Sequence, residues 1–199
     1  MQDGDLATIF GKKYDPSISD WGGHSGGGSS PTHNLPYRMF LEQFIALNDI
    51  RSVTDVGCGD WQFSRFINFE KVDYSGFDVV PELIERNRSQ YGSPKRHFAV
   101  MPDNCDELPG GDLLIIKDVL QHLPNEIIFN YREKLFNKFR FCLITNSYAK
   151  LGAQTNIDIK PGDFRCLDLN AEPFKFGGAY VTEFFSPLWE VIRVLLLRP

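Results

Sequence analysis

The stretch TDVGCGDWQFSRFI, residues 54–67, decides the fold class. It follows a short apolar run, and Gly57 and Gly59 stand where that run ends. Glycine permits a tight turn there and lets a ligand approach the backbone where a β-carbon would intrude. Asp78 closes the next apolar run about 20 positions later, a spacing that suits a carboxylate bound to ribose hydroxyls. The stretch therefore predicts a strand, a ligand-binding turn and a second strand.

Short apolar runs alternate with helical patterns along the whole chain, which is typical of strands buried on both faces. This order predicts βαβ units and an α/β, Rossmann-like, doubly wound, mostly parallel seven-stranded sheet with helices on both faces. We also expect a helix directly after Gly59 and a helix cap at Asn125. The predicted strands are 52–56, 74–77, 97–100, 112–116, 141–145 and 189–197, and the predicted helices are 36–47, 81–90 and 125–137.

Composition limits the class of protein. The 199 residues, net charge of −5 and hydrophobic fraction of 42% predict a single soluble domain over residues 1–199. The basic residues are scattered, which disfavours nucleic acid as a partner. No apolar run reaches the length of about 20 residues that a membrane span needs. The amino terminus lacks the features of a secretory signal, so we expect a cytoplasmic protein. The four cysteines form no CxxC pair, which argues against a metal site. The oligomeric state stays open.

Two kinds of nucleotide ligand compete for the glycine turn. A dinucleotide fingerprint requires a third glycine three places after Gly59, where this chain has Gln62. The alternative is a nucleoside without phosphates. Asp55, just before the glycines, would repel a pyrophosphate but attract a ligand that carries an ammonium and a sulfonium.

Four segments in order resemble the motifs of the class I S-adenosylmethionine-dependent methyltransferases. They are VTDVGCGDW, YSGFDVVPELIERNR, VMPDNCDELP and DLLIIKDVLQHLP; the match runs from Ser52 to Pro124, and its coarse pattern continues to the end of the chain. One departure is visible, because Trp61 occupies the place of the third glycine of the first motif. The resemblance implies S-adenosylmethionine as the cofactor and methyl transfer as the reaction.

The resemblance also implies which residues surround the methionine part of the cofactor. Gly57 and Gly59 would pass beneath it, and Asp55 would lie near its ammonium. Lys117 ends the fourth strand at the ligand. Arg38 would meet the methionine carboxylate.

Other residues are implied at the nucleoside part. Asp78 would hold the ribose hydroxyls, and Val79 would lie beside the adenine. Asp103 or its neighbour Asn104 would bind the adenine amino group.

Two residues are candidates for the general base. Methyl transfer is an in-line displacement that depends mostly on alignment, and a hydroxyl acceptor also benefits from proton removal. Asp118 follows the fourth strand, and His122 lies four residues further on, which in a helical turn brings both to one side. A structural role for His122 stays open.

The connection after the fifth predicted strand is expected to rise over the carboxyl edge of the sheet. Its polar residues are therefore candidates for acceptor recognition. Arg165 stands out, because a guanidinium can clamp a carboxylate or phosphate through two bonds. The candidates are Asn146, Asn156, Asp158 and Arg165.

The glycine- and serine-rich segment 21–38 has too little chain before it to be a linker between domains. We interpret residues 1–38 as an amino-terminal arm or lid over the cofactor site, with a loose surface loop as the alternative. This arm, together with the late NIDI and FRCLDLN segments, is similar to small bacterial methyltransferases of uncertain substrate, some of them associated with cell-surface glycans.

The sequence thus favours methyl transfer to a small acceptor, first a hydroxyl of a sugar or glycan precursor. The rival reaction is methylation of nitrogen in RNA or protein. The Asn-Pro-Pro-Tyr signature often seen in methylation of base amino groups is absent. A third possibility is a catalytically silent module that binds S-adenosylmethionine or a partner.

Overall fold

A seven-stranded sheet runs through the computed structural model, which describes residues 5–19 and 21–199. The strand order is β3-β2-β1-β4-β5-β7-β6. Strands β1 to β5 are parallel, and β7 lies antiparallel between β5 and β6. The predicted mostly parallel α/β sheet is confirmed. The strands are β1 Ser52–Val56, β2 Asp73–Asp78, β3 Arg96–Val100, β4 Gly111–Lys117, β5 Phe139–Lys150, β6 Ala179–Ser186 and β7 Glu190–Leu197.

Helices cover both faces of this sheet, and short 3-10 turns connect several of the elements. The α-helices are α1 Leu6–Lys13, α2 Leu35–Leu47, α3 Pro81–Tyr91 and α4 Asn125–Lys134. The 3-10 turns are Gly27–Ser29, Ser64–Phe66, Cys105–Glu107, Leu120–His122 and Phe136–Lys138. Pro36 lies in the first turn of α2 and Pro81 begins α3, positions at which proline costs no helical hydrogen bond.

Alternation along the strands creates two apolar cores. In β4, Leu113 and Ile115 face the core that contains α2 and α3, whereas Leu114 and Ile116 face the core that contains α4. Successive side chains of a strand point to opposite faces, so a continuous apolar run serves both cores. The sheet is therefore buried on both sides, and its carboxyl edge is where polar side chains collect.

The predicted helix after Gly59 is wrong. The chain turns there and forms only the 3-10 turn Ser64–Phe66. Trp61 explains the difference, because its backbone takes a φ of 56°, outside the right-handed helical region. Its indole is 1% exposed and packs against the rings of Tyr74 and Phe98. The Trp61 indole therefore packs into the core, and no α-helix forms after Gly59.

Strand β5 extends five residues beyond its predicted end at Thr145, so Asn146 lies inside the strand and not in the following loop. Strand β6 also lay outside the predicted runs. It alternates exposed and half-buried side chains at the edge of the sheet, which weakens its apolar signal.

Arg165 anchors the long segment between β5 and β6 to the rest of the fold. The guanidinium is fully buried and donates hydrogen bonds to the Asn125 side chain at 2.6 Å and to the Leu123 carbonyl at 2.6 Å. It also donates to the Ile157 carbonyl. These contacts hold the segment against the start of α4.

The predicted cap at Asn125 is also wrong. Pro124 precedes the helix, and the Asn125 amide donates to the Asp158 carboxylate at 2.9 Å. A carboxylate near the first turn of a helix satisfies a free N–H and favours the helix dipole. The cap is therefore supplied by a residue 33 positions later in the chain.

No helix among residues 5–19 and 21–199 is long and apolar enough to cross a membrane. The four cysteines are buried and unpaired.

We expect Arg165→Met to lower the free energy of unfolding by about 2–4 kcal/mol, because it leaves the Leu123 and Ile157 carbonyls without a donor. Urea denaturation measures the change. Arg51→Met is the matched control: Arg51 is exposed and pairs with exposed Asp49, so its loss costs at most about 1 kcal/mol. Equal stability of the two variants would contradict this role of Arg165.

Candidate functional site

A cavity of about 570 Å³ opens at the carboxyl ends of β1, β2 and β4. Carboxylates at or directly after the ends of these strands line it: Asp55 in β1, Asp78 in β2 and Asp118 directly after β4. The amino-terminal segment, α2, the connection between β1 and β2, and the region after β5 contribute further walls. The cavity therefore lies where ligands bind in open α/β sheets.

The turn after β1 has no room for side chains. Gly57 has a φ of 77°, and a β-carbon there would lie 2.2 Å from Val119 Cγ2. Gly59 has a φ of 56°, and its β-carbon would lie 2.3 Å from Ser25 Oγ. The amides of Gly57 and Cys58 both donate to the Phe77 carbonyl, at 2.7 and 3.0 Å. Two glycines are thus required, and the turn is fixed to the end of β2.

Asp78 is held rigidly at the end of β2. Its carboxylate accepts hydrogen bonds from the Gly59 amide at 2.9 Å and the Val80 amide at 3.0 Å. Burial raises its pKa, although both amides act in the opposite direction. Each carboxylate oxygen keeps a further lone pair, so the group can accept hydrogen bonds from a ligand in the cavity. Val79 lines the cavity beside it.

Asp55 lies at the same edge, one strand away. It accepts a hydrogen bond from the Tyr74 hydroxyl at 2.6 Å. Burial raises the pKa of the Asp55 carboxyl to about 6, against the effects of Tyr74 and Lys117. A cation that enters the cavity would stabilise the ionised form.

The end of β4 presents an ion pair. The Lys117 ammonium, whose side chain is 6% exposed, contacts the Asp118 carboxylate. It lies 5.0 Å from the centre of the Phe63 ring and 5.6 Å from that of Tyr37. Asp118 has a φ of 58°, an uncommon conformation for a residue other than glycine. Both charged groups line the cavity.

His122 lies in the 3-10 turn after β4 and lines the same cavity as Asp118. Its Nδ1 is 2.8 Å from the Asp163 carbonyl. A carbonyl can only accept, so Nδ1 carries the proton and Nε2 keeps a lone pair. The ring lies between Trp21 and Phe164, with centroids 6.0 and 5.7 Å away. Burial lowers the pKa of His122, which keeps the imidazole neutral at pH 7.

The amino-terminal segment contacts the glycine turn through Ser25. The Ser25 hydroxyl donates to the Asp60 carboxylate at 2.7 Å and accepts from the Asp60 amide at 3.0 Å. The Tyr14 hydroxyl lies 3.0 Å from Ser25 Oγ, and Trp21 packs edge-on against Tyr14. Residues 25–29 line the cavity. Residues 1–4 and Asp20, which belong to the predicted arm, lie outside the described residues.

Three predicted cofactor residues do not line the cavity. Arg38 donates to the Phe66 carbonyl at 2.9 Å and stacks on the Phe66 ring. Asp103 is exposed, and the Asn104 side chain accepts from the Asp106 amide at 3.2 Å within its own 3-10 turn. Met101, just before them, does line the cavity.

The four predicted acceptor residues also lie outside the cavity lining. Arg165 and Asp158 fix the segment between β5 and β6, as described above. The Asn156 amide donates to the Asp168 and Glu172 carbonyls at 2.8 and 2.7 Å, which shapes that segment from within. Asn146 is buried in β5.

Other residues line the cavity where the four predicted acceptor residues were expected. Gly162 and Phe164 of the same segment line the cavity, together with Lys150 and Glu190 at the paired ends of β5 and β7. The Glu190 carboxylate accepts a hydrogen bond from the buried Ser147 hydroxyl at 2.7 Å. The place of Lys150 and Glu190 at the cavity is hard to predict from the sequence, because it depends on the register of the antiparallel pair β5 and β7.

Within the part of the chain that the structure describes, no group of three or more His, Cys, Asp or Glu side chains could hold a metal ion.

Comparison with known proteins gives matches at the level of structure only. No protein-family model matches the chain, and no curated protein does. Among solved structures, magnesium protoporphyrin IX methyltransferase (ChlM) from Synechocystis PCC 6803, with bound SAH, has a TM-score of 0.59 at 14% identity over 83% of each chain. The mitomycin 7-O-methyltransferase MmcR has a TM-score of 0.60 at 12% identity, over 98% of this chain and 74% of that one.

A third match is the methyltransferase domain of bacterial CtHen1-CN, with a TM-score of 0.57 at 14% identity over 82% of this chain and 99% of that one. The chain therefore has the class I, Rossmann-like fold of S-adenosylmethionine-dependent methyltransferases.

Proposed function

We propose that this protein transfers a methyl group from S-adenosylmethionine to a hydroxyl of a small acceptor. One observation carries the proposal: the glycine turn, Asp55 and Asp78 line a single cavity at the carboxyl ends of β1 and β2. The shared fold of methyltransferases that bind SAH supports it.

The residues of the cavity fit this cofactor. Gly57 and Gly59 present backbone to the cavity, and the fixed Asp78 carboxylate has lone pairs for ribose hydroxyls. Asp55 adds a negative charge that suits a sulfonium and an ammonium. When bound, the cofactor supplies an electrophilic methyl group.

His122 is the better candidate for the general base. Its Nε2 keeps a lone pair, and its lowered pKa keeps it neutral, so it can accept the proton of a hydroxyl. Asp118 already contacts the Lys117 ammonium through Oδ2, so one of its two carboxylate oxygens is engaged within the protein. We therefore assign proton removal to His122.

The cavity lining supports a proposal for the acceptor class: it includes the rings of Trp21 and Phe164, with the Lys150 ammonium over the Phe164 ring and 4.0 Å from the Glu190 carboxylate. Aromatic walls with a few polar groups suit a small molecule rich in hydroxyls, and we propose a sugar or glycan precursor. Nitrogen methylation of RNA is disfavoured by the net charge of −5.

A silent cofactor-binding module is the alternative from another class. Calorimetry with S-adenosylhomocysteine, followed by transfer of labelled methyl to a panel of sugars, glycans, RNA and protein, separates the two. Binding without turnover on any acceptor would favour the silent module.

We also propose that the described parts of residues 5–38 form a cover over the cofactor. The contacts of Ser25 with Asp60 and the close approach of Ser25 to Gly59 support this role. A cover excludes water and completes the walls of the site.

We expect Asp78→Asn to weaken binding of S-adenosylhomocysteine by about 10-fold or more, because charge-assisted bonds to the ribose are lost. Isothermal titration calorimetry measures the affinity. Asp73→Asn, at the opposite and exposed end of β2, is the matched control and leaves the affinity unchanged. Unchanged affinity in Asp78→Asn would refute the ribose assignment.

We expect His122→Gln to lower kcat by about 100-fold or more on an accepted hydroxyl substrate, which is the usual effect of losing a general base. The affinity for S-adenosylhomocysteine stays the same. His97→Gln, an exposed histidine on β3, is the control. Full turnover in His122→Gln would mean that another group, or water, removes the proton.

The wild-type kcat/KM should fall as the pH is lowered, because protonated His122 cannot act as a base. Burial lowers the pKa of His122 below its usual value of 6.5, so the midpoint of this fall lies below pH 6.5. With S-adenosylmethionine saturating, so that the Asp55 carboxyl with its pKa of about 6 does not limit cofactor binding, the His122→Gln variant should lack this midpoint. A pH–rate profile with its midpoint above 6.5 would argue against His122.

A further inference from the structure

Ser147, in β5, holds two side chains of the cavity wall in place. Its amide donates a hydrogen bond to Gln121 Oε1 at 2.7 Å, and its hydroxyl donates to Glu190 Oε2 at 2.7 Å. Ser147 is fully buried, and Gln121 and Glu190 are each 6% exposed. Gln121 and Glu190 both line the cavity. Because their side chains contact the same residue, they lie close together on one wall.

Each of these two side chains keeps one polar group that the protein does not use. A backbone N–H only donates, so the Gln121 atom that meets Ser147 is the oxygen, and the NH2 group is left over. Within residues 5–19 and 21–199, neither Gln121 Nε2 nor Glu190 Oε1 has a hydrogen-bond partner. Buried polar groups in folded proteins nearly always have partners. One donor and one acceptor are therefore available to a ligand in the cavity.

The charge of this wall favours a neutral ligand. The Lys150 ammonium lies 4.0 Å from the Glu190 carboxylate and balances it, so a charged ligand would bring a charge without a partner. An ammonium only donates hydrogen bonds and a carboxylate only accepts them, whereas a hydroxyl does both. A hydroxyl can therefore satisfy the Gln121 amide and the Glu190 carboxylate together.

The same wall adjoins the proposed base. Gln121 and His122 are consecutive residues of the 3-10 turn Leu120–His122, and both line the cavity. The centre of the Phe164 ring lies 5.7 Å from that of the His122 ring and 5.1 Å from the Lys150 ammonium. One acceptor molecule can therefore reach His122 and this wall at the same time.

We infer that Gln121 and Glu190 bind a second hydroxyl of the acceptor, one that is not methylated, and that Ser147 positions both side chains. The acceptor class is then a neutral molecule with at least two hydroxyls. This inference rests on the proposed function and names acceptor-binding residues of that site.

The first test removes the donor. Gln121→Glu keeps an oxygen for the Ser147 amide and loses the NH2 group. With the neutral sugar of highest kcat/KM in the panel described above, the variant should raise the KM for that sugar about 10-fold, the effect of a lost hydrogen bond. Its kcat should stay within about threefold, and its affinity for S-adenosylhomocysteine within about twofold, because the base and the cofactor cradle are unchanged. The unchanged affinity also reports that the variant is folded.

The second test removes the hydroxyl from the sugar. Among the monodeoxy analogues of that sugar, one should lose about 10-fold in kcat/KM with the wild-type protein. With this analogue, Gln121→Glu should cost about twofold or less, because the hydrogen bond is already absent. A purely structural role of Gln121 would cost the sugar and the analogue equally.

Glu190→Gln carries the test if Gln121→Glu does not fold, since it keeps an oxygen for the Ser147 hydroxyl and replaces the free oxygen with NH2. The double variant exchanges donor and acceptor. Because a hydroxyl can reverse its hydrogen bonds, the double variant should recover to within about threefold of the wild-type KM. Gln154→Glu, the same change at an exposed residue after β5, is the matched control.

Three results would overturn the inference and leave the proposed methyl transfer standing: an unchanged KM in both single variants, equal losses for the sugar and all its deoxy analogues, or a charged acceptor preferred over every neutral sugar. Binding of S-adenosylhomocysteine without methylation of any hydroxyl acceptor would refute the proposed function, and the inference with it.

Discussion

The site depends on the hydrogen bonds that fix the turn after β1 to the end of β2. The Phe77 carbonyl accepts from two consecutive amides of the turn, and Asp78 accepts from the Gly59 amide. These bonds require positive φ values at Gly57 and Gly59 and bring neighbouring groups within van der Waals distance. Val119 closes one side of the turn and Ser25 the other. A side chain at either glycine would push away the walls of the cavity.

The strand ends that this turn holds together present different chemical groups to the cavity. Strand β2 presents a carboxylate held by amides, β1 presents a carboxylate whose pKa is raised by burial, and β4 presents an ion pair. The cavity that joins them continues to His122 and to the aromatic rings around it. A nucleoside, an amino acid chain and an acceptor therefore each meet a different set of groups within one space.

Local pattern predicts the part of the site that is made by strand ends. Asp55, Gly57, Gly59, Asp78 and Lys117 follow apolar runs, and parallel strands bring their carboxyl ends to one edge, so all of them line the cavity. Asp118 follows from the same reasoning. His122 is predicted from its spacing in a helical turn; the structure has only the 3-10 turn Leu120–His122 after an Asp118 with a φ of 58°, and both residues nevertheless line the cavity. The fold class is also predictable from local pattern, because short apolar runs alternate with helical patterns along the sequence.

Residues outside these strand ends depend on tertiary contacts that the sequence does not display. Arg165 has the chemistry of an anion clamp, yet inside the fold it donates to the Leu123 carbonyl, 42 positions earlier, and to the Ile157 carbonyl of its own segment. Asp158 caps a helix that begins 33 positions earlier. No α-helix follows Gly59, because Trp61 has a positive φ and its indole packs among four aromatic rings.

The central claim is that the glycine turn and Asp78 form a cradle for the nucleoside of S-adenosylmethionine. A crystal structure with bound S-adenosylhomocysteine tests it most directly. The account predicts ribose hydroxyls within hydrogen-bond distance of the Asp78 carboxylate and the methionine chain over Gly57. A ligand bound elsewhere, or a ribose that does not touch Asp78, would contradict it.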